Sequence, residues 1–181
     1  EFTSIQINKK NNDNQKIKSF ILDRYKVLLR EKNIKHDVIN CIVNNNLTFL
    51  SKTNERLAIL HNFLDTKEGD ELKSLWQRVS NILLIEEKQN KKIEVFNSKV
   101  QSDFLKEEVN IINAINKIEE TDDYLRILSQ RSSLKSITFE FFENLKINDS
   151  NKIIKNRRLS ILALLRKKLL DIGDLYKLEG S

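Results

Sequence analysis

Few side chains in this sequence have the chemistry of a reaction centre. Imidazole and thiol groups come only from His36, His61 and Cys41. The adjacent pair His36-Asp37 would suit a metal or phosphohydrolase dyad, but no second His/Asp cluster completes it. It reads as the first turn of a helix, where a carboxylate complements the helix dipole. His61 stands alone within a helical pattern. No Gly-rich phosphate loop, Cys/His ligand spacing or nucleophile motif is present. No residue is therefore assigned a catalytic or metal-binding role, and the chain is read as one that binds.

The chemistry of binding is concentrated in one stretch, Asn151 to Lys168. Seven basic residues lie in it and no acid: Lys152, Lys155, Arg157, Arg158, Arg166, Lys167 and Lys168. The formal surplus of the whole chain is +6, so the remainder is close to neutral. A basic stripe on a balanced protein suits a polyanion, most often nucleic acid. At 100° per residue, Ile154, Ile161, Leu162, Leu165, Leu169 and Ile172 share one arc, the expected buried face of a long helix. Arg157 and Lys168 flank that arc on one side, Lys155 and Arg166 on the other. Arg158 projects from its middle. A guanidinium there must be paired, because an unpaired desolvated charge costs several kcal/mol. Two partners satisfy it: a carboxylate from a neighbouring helix, or the phosphate or base of an RNA lying in a cleft.

The elements that hold this helix are helical as well. With no proline and three glycines, Gly69, Gly173 and Gly180, the punctuation of a sheet-and-turn protein is missing. An all-α bundle of about seven to eight helices follows. Residues 1–14 are polar and aperiodic and are expected as a flexible segment, 15–178 as the helical domain and 179–181 as a tail. Glu1-Phe2 and Gly180-Ser181 have the look of cloning residues, and without an initiator Met the chain reads as an excised fragment.

Helical periodicity begins at Ile17 and runs through Phe20, Ile21, Tyr25, Leu28 and Leu29, with a stop near Asn33. A second helix carries Val38, Ile39, Ile42 and Val43, and breaks at Asn44–Asn46. The third is expected from Thr53 to Leu64. After a turn at Thr66–Asp70, the fourth runs from Glu71 to Lys88, with Arg78 and Asn81 bordering its core face. Gln89–Ser98 is the longest loop. Leu105, Val109, Ile112, Ile115 and Ile118 define a fifth helix, and Thr121 is the expected N-cap of a sixth. Ile137, Phe139, Phe141, Phe142 and Leu145 form a short aromatic helix, suited either to core packing or to stacking bases. The loop Lys146–Ser150, with Ser150 as N-cap, leads into the basic helix. One cysteine makes no internal disulfide. With no signal-peptide core and no apolar run near the ~18 residues of a membrane span, the expected setting is the cytoplasm without membrane contact.

Three blocks carry a resemblance. Phe20–Val43 (FILDRYKVLLREKNIKHDVINCIV), Gln77–Leu83 (QRVSNIL) and Phe141–Leu178 resemble, in order and spacing, the C-terminal anticodon-binding region of the beta subunit of bacterial glycyl-tRNA synthetase. More distantly, the region is similar to the helical anticodon-binding domains of arginyl-tRNA synthetases. Those carry an Asp-Ala-Leu-Arg motif, replaced here by Asn151-Lys152-Ile153-Ile154, with Arg158-Leu159 and the apolar repeat kept in common. Lys146 and Asn148 depart from the mostly apolar loop of the family.

The resemblance implies a non-catalytic tRNA-binding part of an ATP-dependent ligase, with no cofactor of its own. ATP and magnesium are expected only in the holoenzyme, at a class II site on a separate alpha subunit within a heterotetramer. The implied partners are that alpha subunit and tRNA(Gly). Arg78, Asn81, Asn144 and Arg158 are the positions that carry over. A phosphate-tracking surface would come from Lys152, Lys155, Arg157, Arg166 and Lys167. Base reading would fall to Arg78, Asn81, Lys146 and Asn148, while Asn144 and Arg158 are either structural or RNA-binding. The competing reading is a helical scaffold that docks a protein through its basic face.

Overall fold

The computed structural model describes residues 2–43, 50–89, 92–97 and 99–178, with side chains from residue 14 onward except those of 50 and 51. The expected break at Asn44–Asn46, part of the Gln89–Ser98 loop and the tail at 179–181 lie outside these residues. The described chain is all-α. Its helices are α1 (Phe2–Glu31), α2 (His36–Ile42), α3 (Leu50–Leu64), α4 (Lys67–Glu87), α5 (Lys106–Asn116), α6 (Tyr124–Ser132), α7 (Leu134–Asn144) and α8 (Lys152–Leu169), followed by a 3-10 turn at Leu175–Lys177. No helix among them is long and apolar enough to cross a membrane.

Where α1 stops, Asn33 takes φ 61°, and the Ile34 amide reaches back to the Leu29 carbonyl at 3.3 Å. This is the left-handed ending expected from an asparagine at that place. The other end differs from expectation, since α1 continues back to Phe2 through the polar segment. Periodicity cannot detect such a stretch, but neither glycine nor proline interrupts it, so nothing local breaks the helix.

Several starts are also shifted. α4 begins at Lys67, because the Thr66 hydroxyl accepts from the Gly69 amide at 3.1 Å and caps what looked like a free turn. α6 is capped by Asp123, whose carboxylate accepts from the Arg126 amide at 3.1 Å; Thr121 instead accepts from the Asp123 amide. α8 is capped by Asn151 accepting from the Ile153 amide at 2.9 Å, one residue later than Ser150. In both cases an Asx side chain sits nearer the first turn than the hydroxyl.

The bundle is organised around α8, which packs across α4 and α5, while α7 lies against α5 and α6 fills the space between α3, α4 and α7. Packing on two sides widens the buried face of α8. Ile161, Leu162, Leu165, Leu169 and Ile172 are buried as their spacing predicts, Leu159 and Ala163 are buried as well, and Ile154 is half-buried. The chain then folds back onto α2. The Asp174 amide donates to the Cys41 carbonyl at 2.8 Å, and the Tyr124 hydroxyl donates to the Ile172 carbonyl at 2.7 Å. Gly173 allows the close approach, since a Cβ there would lie 2.8 Å from the Cys41 carbonyl oxygen.

Cys41 is sealed beneath this turn. It is fully buried, and burial pushes its thiol up to about 12, so almost no thiolate exists at neutral pH. The folded chain is therefore expected to resist Ellman's reagent at pH 8 and to react fully once denatured. Rapid stoichiometric labelling of the native protein, read by absorbance, would contradict this placement.

Candidate nucleic-acid interface

The basic helix α8 does not present a row of open cations. Its central feature is a buried carboxylate, Glu108, in the first turn of α5 and 0% exposed. Glu108 accepts from Arg158 Nε at 3.0 Å, from its own helix's Leu105 amide at 3.0 Å, and pairs with Arg157 at 3.2 Å. Arg158, itself 4% exposed, also donates to the Lys146 carbonyl at 2.7 Å and to Asp149 at 3.2 Å. The guanidinium thus meets oxygens through Nε and Nη1, the pairing that a charge on a core-facing stripe requires. The arrangement locks the loop between α7 and α8 to the helix that follows it.

The flanking cations are also engaged. Lys155 binds Glu86 of α4 at 2.7 Å. Arg157 binds Asp103 at 2.6 Å and lies 4.3 Å over the Phe104 ring. Arg166 forks onto Glu87 and meets the Tyr176 hydroxyl at 3.3 Å; the Glu87 hydrogen bonds outweigh burial and raise its pKa further. Lys168 reaches Glu120 at 2.8 Å, and that bond holds the Glu120 carboxyl below its usual range. Among the described residues, Lys152 and Lys167 are the α8 cations exposed and without an ion pair.

A second set of sequence-selected residues gathers at the junction of α4 and α7. Arg78 and Asn81 are one turn apart on the exposed side of α4, and the same stripe continues to Ile85, 58% exposed. The Arg78 guanidinium sits 4.2 Å over the Phe142 ring of α7 and has no ion pair among the described residues. Lys146 and Asn148 in the following loop are exposed, as is Asn144 at the end of α7. The aromatic helix therefore divides. Phe141 is core, Phe142 is half-buried beneath the arginine with its edge against Phe141, and Phe139 is exposed. Among the described residues no group of three His, Cys, Asp or Glu side chains converges as metal ligands.

Sequence reasoning did not select Glu108, although a signal existed. Glu108 falls on the stripe Leu105, Ile112, Ile115, so it is a carboxylate on a core face, the complement of Arg158. Phe142 was seen only as one member of an aromatic cluster. Asp103 and Asp149 carry no local signal, because their partners are set by tertiary packing.

Fold and site together define a helical-bundle domain with solvent-facing cations at the α4–α7 junction and a basic helix clamped by carboxylates. No protein-family model matches the chain. Among curated proteins it is similar to the glycine–tRNA ligase beta subunit of Ruegeria sp. (strain TM1040), 29% identical over 93% of this chain and 26% of that protein. It is 30% identical to the beta subunit of Cereibacter sphaeroides (strain ATCC 17029 / ATH 2.4.9), over 90% of this chain and 24% of that one. A beta subunit from Clostridioides difficile (strain 630) is 25% identical over 91% of the chain. The chain is similar to these glycine–tRNA ligase beta subunits over nine-tenths of its own length and spans about a quarter of theirs.

Proposed function

We propose that this chain is a tRNA-binding module of a glycine–tRNA ligase, holding the anticodon arm of tRNA(Gly) while ligation takes place elsewhere in the enzyme. The single observation that carries this reading is the similarity to glycine–tRNA ligase beta subunits over nine-tenths of the chain. The site supports it chemically. Lys146, Lys152 and Lys167, exposed and without an ion pair among the described residues, would meet phosphates, while Arg78 and the exposed amides of Asn81, Asn144 and Asn148 would meet bases. In the free chain Lys155, Arg157 and Arg166 hold internal carboxylates, so their role is foremost to position α8. ATP and magnesium are not assigned to this chain. They belong with the alpha subunit, the proposed partner in a cytoplasmic heterotetramer.

Purified tRNA(Gly) should bind the chain at low salt, with log K falling linearly in log salt by roughly 0.7 to 0.9 per neutralised phosphate. Absence of binding at low ionic strength would sink the proposal.

A second reading, a protein-docking scaffold, has one observation in its favour. α1 buries Leu22 and Leu29 on one side and exposes Ile17, Phe20, Ile21, Val27 and Leu28 on the opposite side. A stripe of that kind marks an interface. Capture of an isolated alpha subunit by a chain that ignores tRNA would establish this reading instead.

A further inference from the structure

We propose that Arg78 and Phe142 form a stacking site for one unpaired nucleobase, with Asn81 reading its edge. This inference rests on the tRNA-binding reading and assigns it a specific place.

The ring and the guanidinium come from different helices, α7 and α4, and meet at 4.2 Å. Phe142 is half-buried and braced edge-on by the fully buried Phe141, with ring centroids 5.9 Å apart, so the lower layer of the stack is fixed by the core. Arg78 is exposed above it and has no carboxylate partner among the described residues. That separates it from the arginines of α8, each of which is held by an acid. A guanidinium already desolvated on one side by a ring loses little entropy when a base covers its other side, and it accepts any base because every base has a π face. Specificity then needs a group that both donates and accepts beside the stack. Asn81 is exposed one helical turn along α4 and is such a group. Lys146, exposed just beyond α7, suits the phosphate of the same strand.

The experiment uses a tRNA(Gly) anticodon stem-loop with 2-aminopurine placed at each loop position in turn. Wild-type chain should quench one position strongly, the mark of a stacked base. Phe142→Leu keeps an apolar side chain but removes the ring, and Arg78→Lys keeps the charge but removes the plane. Both should weaken binding about tenfold or more and abolish the quench. Phe142→Leu should leave the salt slope unchanged, whereas Lys146→Ala should reduce it by about 0.7. Circular dichroism melts confirm that each variant is folded. If both variants bind and quench like wild type, the stacking site is wrong while the tRNA reading stands. If wild type binds no stem-loop at low salt, both fall together.

Discussion

Glu108→Ala should be among the most damaging single substitutions in this chain, lowering the melting temperature by roughly 10 °C or more. The carboxylate is 0% exposed and holds two arginines and a backbone amide. Removing it leaves Arg158 charged and buried, and breaking a buried pair from one side costs about 3–5 kcal/mol. In a domain of this size each kcal/mol corresponds to about 2–4 °C. Arg158 keeps Asp149 at 3.2 Å but loses the partner of its Nε, and Arg157 keeps Asp103 at 2.6 Å. Removing both charges is less harmful than removing one. Glu108→Leu combined with Arg158→Met should therefore recover a large part of the loss, and the sum of the single effects should overshoot the double. Thermal melts of Glu108→Ala, Glu108→Leu, Arg158→Met and the double variant check this. A fall of under about 2 °C for Glu108→Ala would show that the pair does not hold α5, α8 and the α7–α8 loop together.

Gly69→Ala gives the second large effect, and its sign is diagnostic. Judged by helix propensity alone, alanine in α4 should stabilise by about 1 kcal/mol. The packing reverses that. An added Cβ would lie 2.6 Å from the Leu64 Cα and inside the envelope of the Phe63 carbonyl oxygen. Both obstacles are backbone at the end of α3, which no rotamer change relieves. The α3–α4 corner would have to open, losing the cap at Thr66 and the seat of Phe63 and Leu64, which are buried. Overpacking of this kind costs about 1–3 kcal/mol and occasionally more. A melting temperature lower by about 5–10 °C is expected. A rise would mean that the corner is looser than its geometry indicates.

Much of the architecture was legible because it is local. The spacing of Ile161, Leu162, Leu165 and Leu169 identifies the buried face of α8, and Asn33 announces the end of α1. Helix starts were less legible, since Thr66, Asp123 and Asn151 compete with neighbouring residues of similar capping ability. The site was legible only in part. A count of cations on α8 shows charge but not how it is neutralised, and the partners lie far away in sequence. Glu86 is 69 positions from Lys155, Glu87 is 79 from Arg166, and Glu108 is 50 from Arg158. No periodicity links such pairs. The contact of Arg78 with Phe142 is equally non-local, which is why the two residues emerged separately from the sequence and meet only in the fold.

These pairings shift the expected RNA contacts from the flanks of α8 toward the α4–α7 junction and the exposed lysines around it. The most direct measurement compares the affinities of the chain for three RNAs at one low salt concentration: whole tRNA(Gly), its isolated anticodon stem-loop and its acceptor minihelix. The proposed function predicts that the stem-loop retains most of the affinity of the whole tRNA and that the minihelix binds much more weakly. Equal binding of minihelix and stem-loop, or preference for the minihelix, would contradict it.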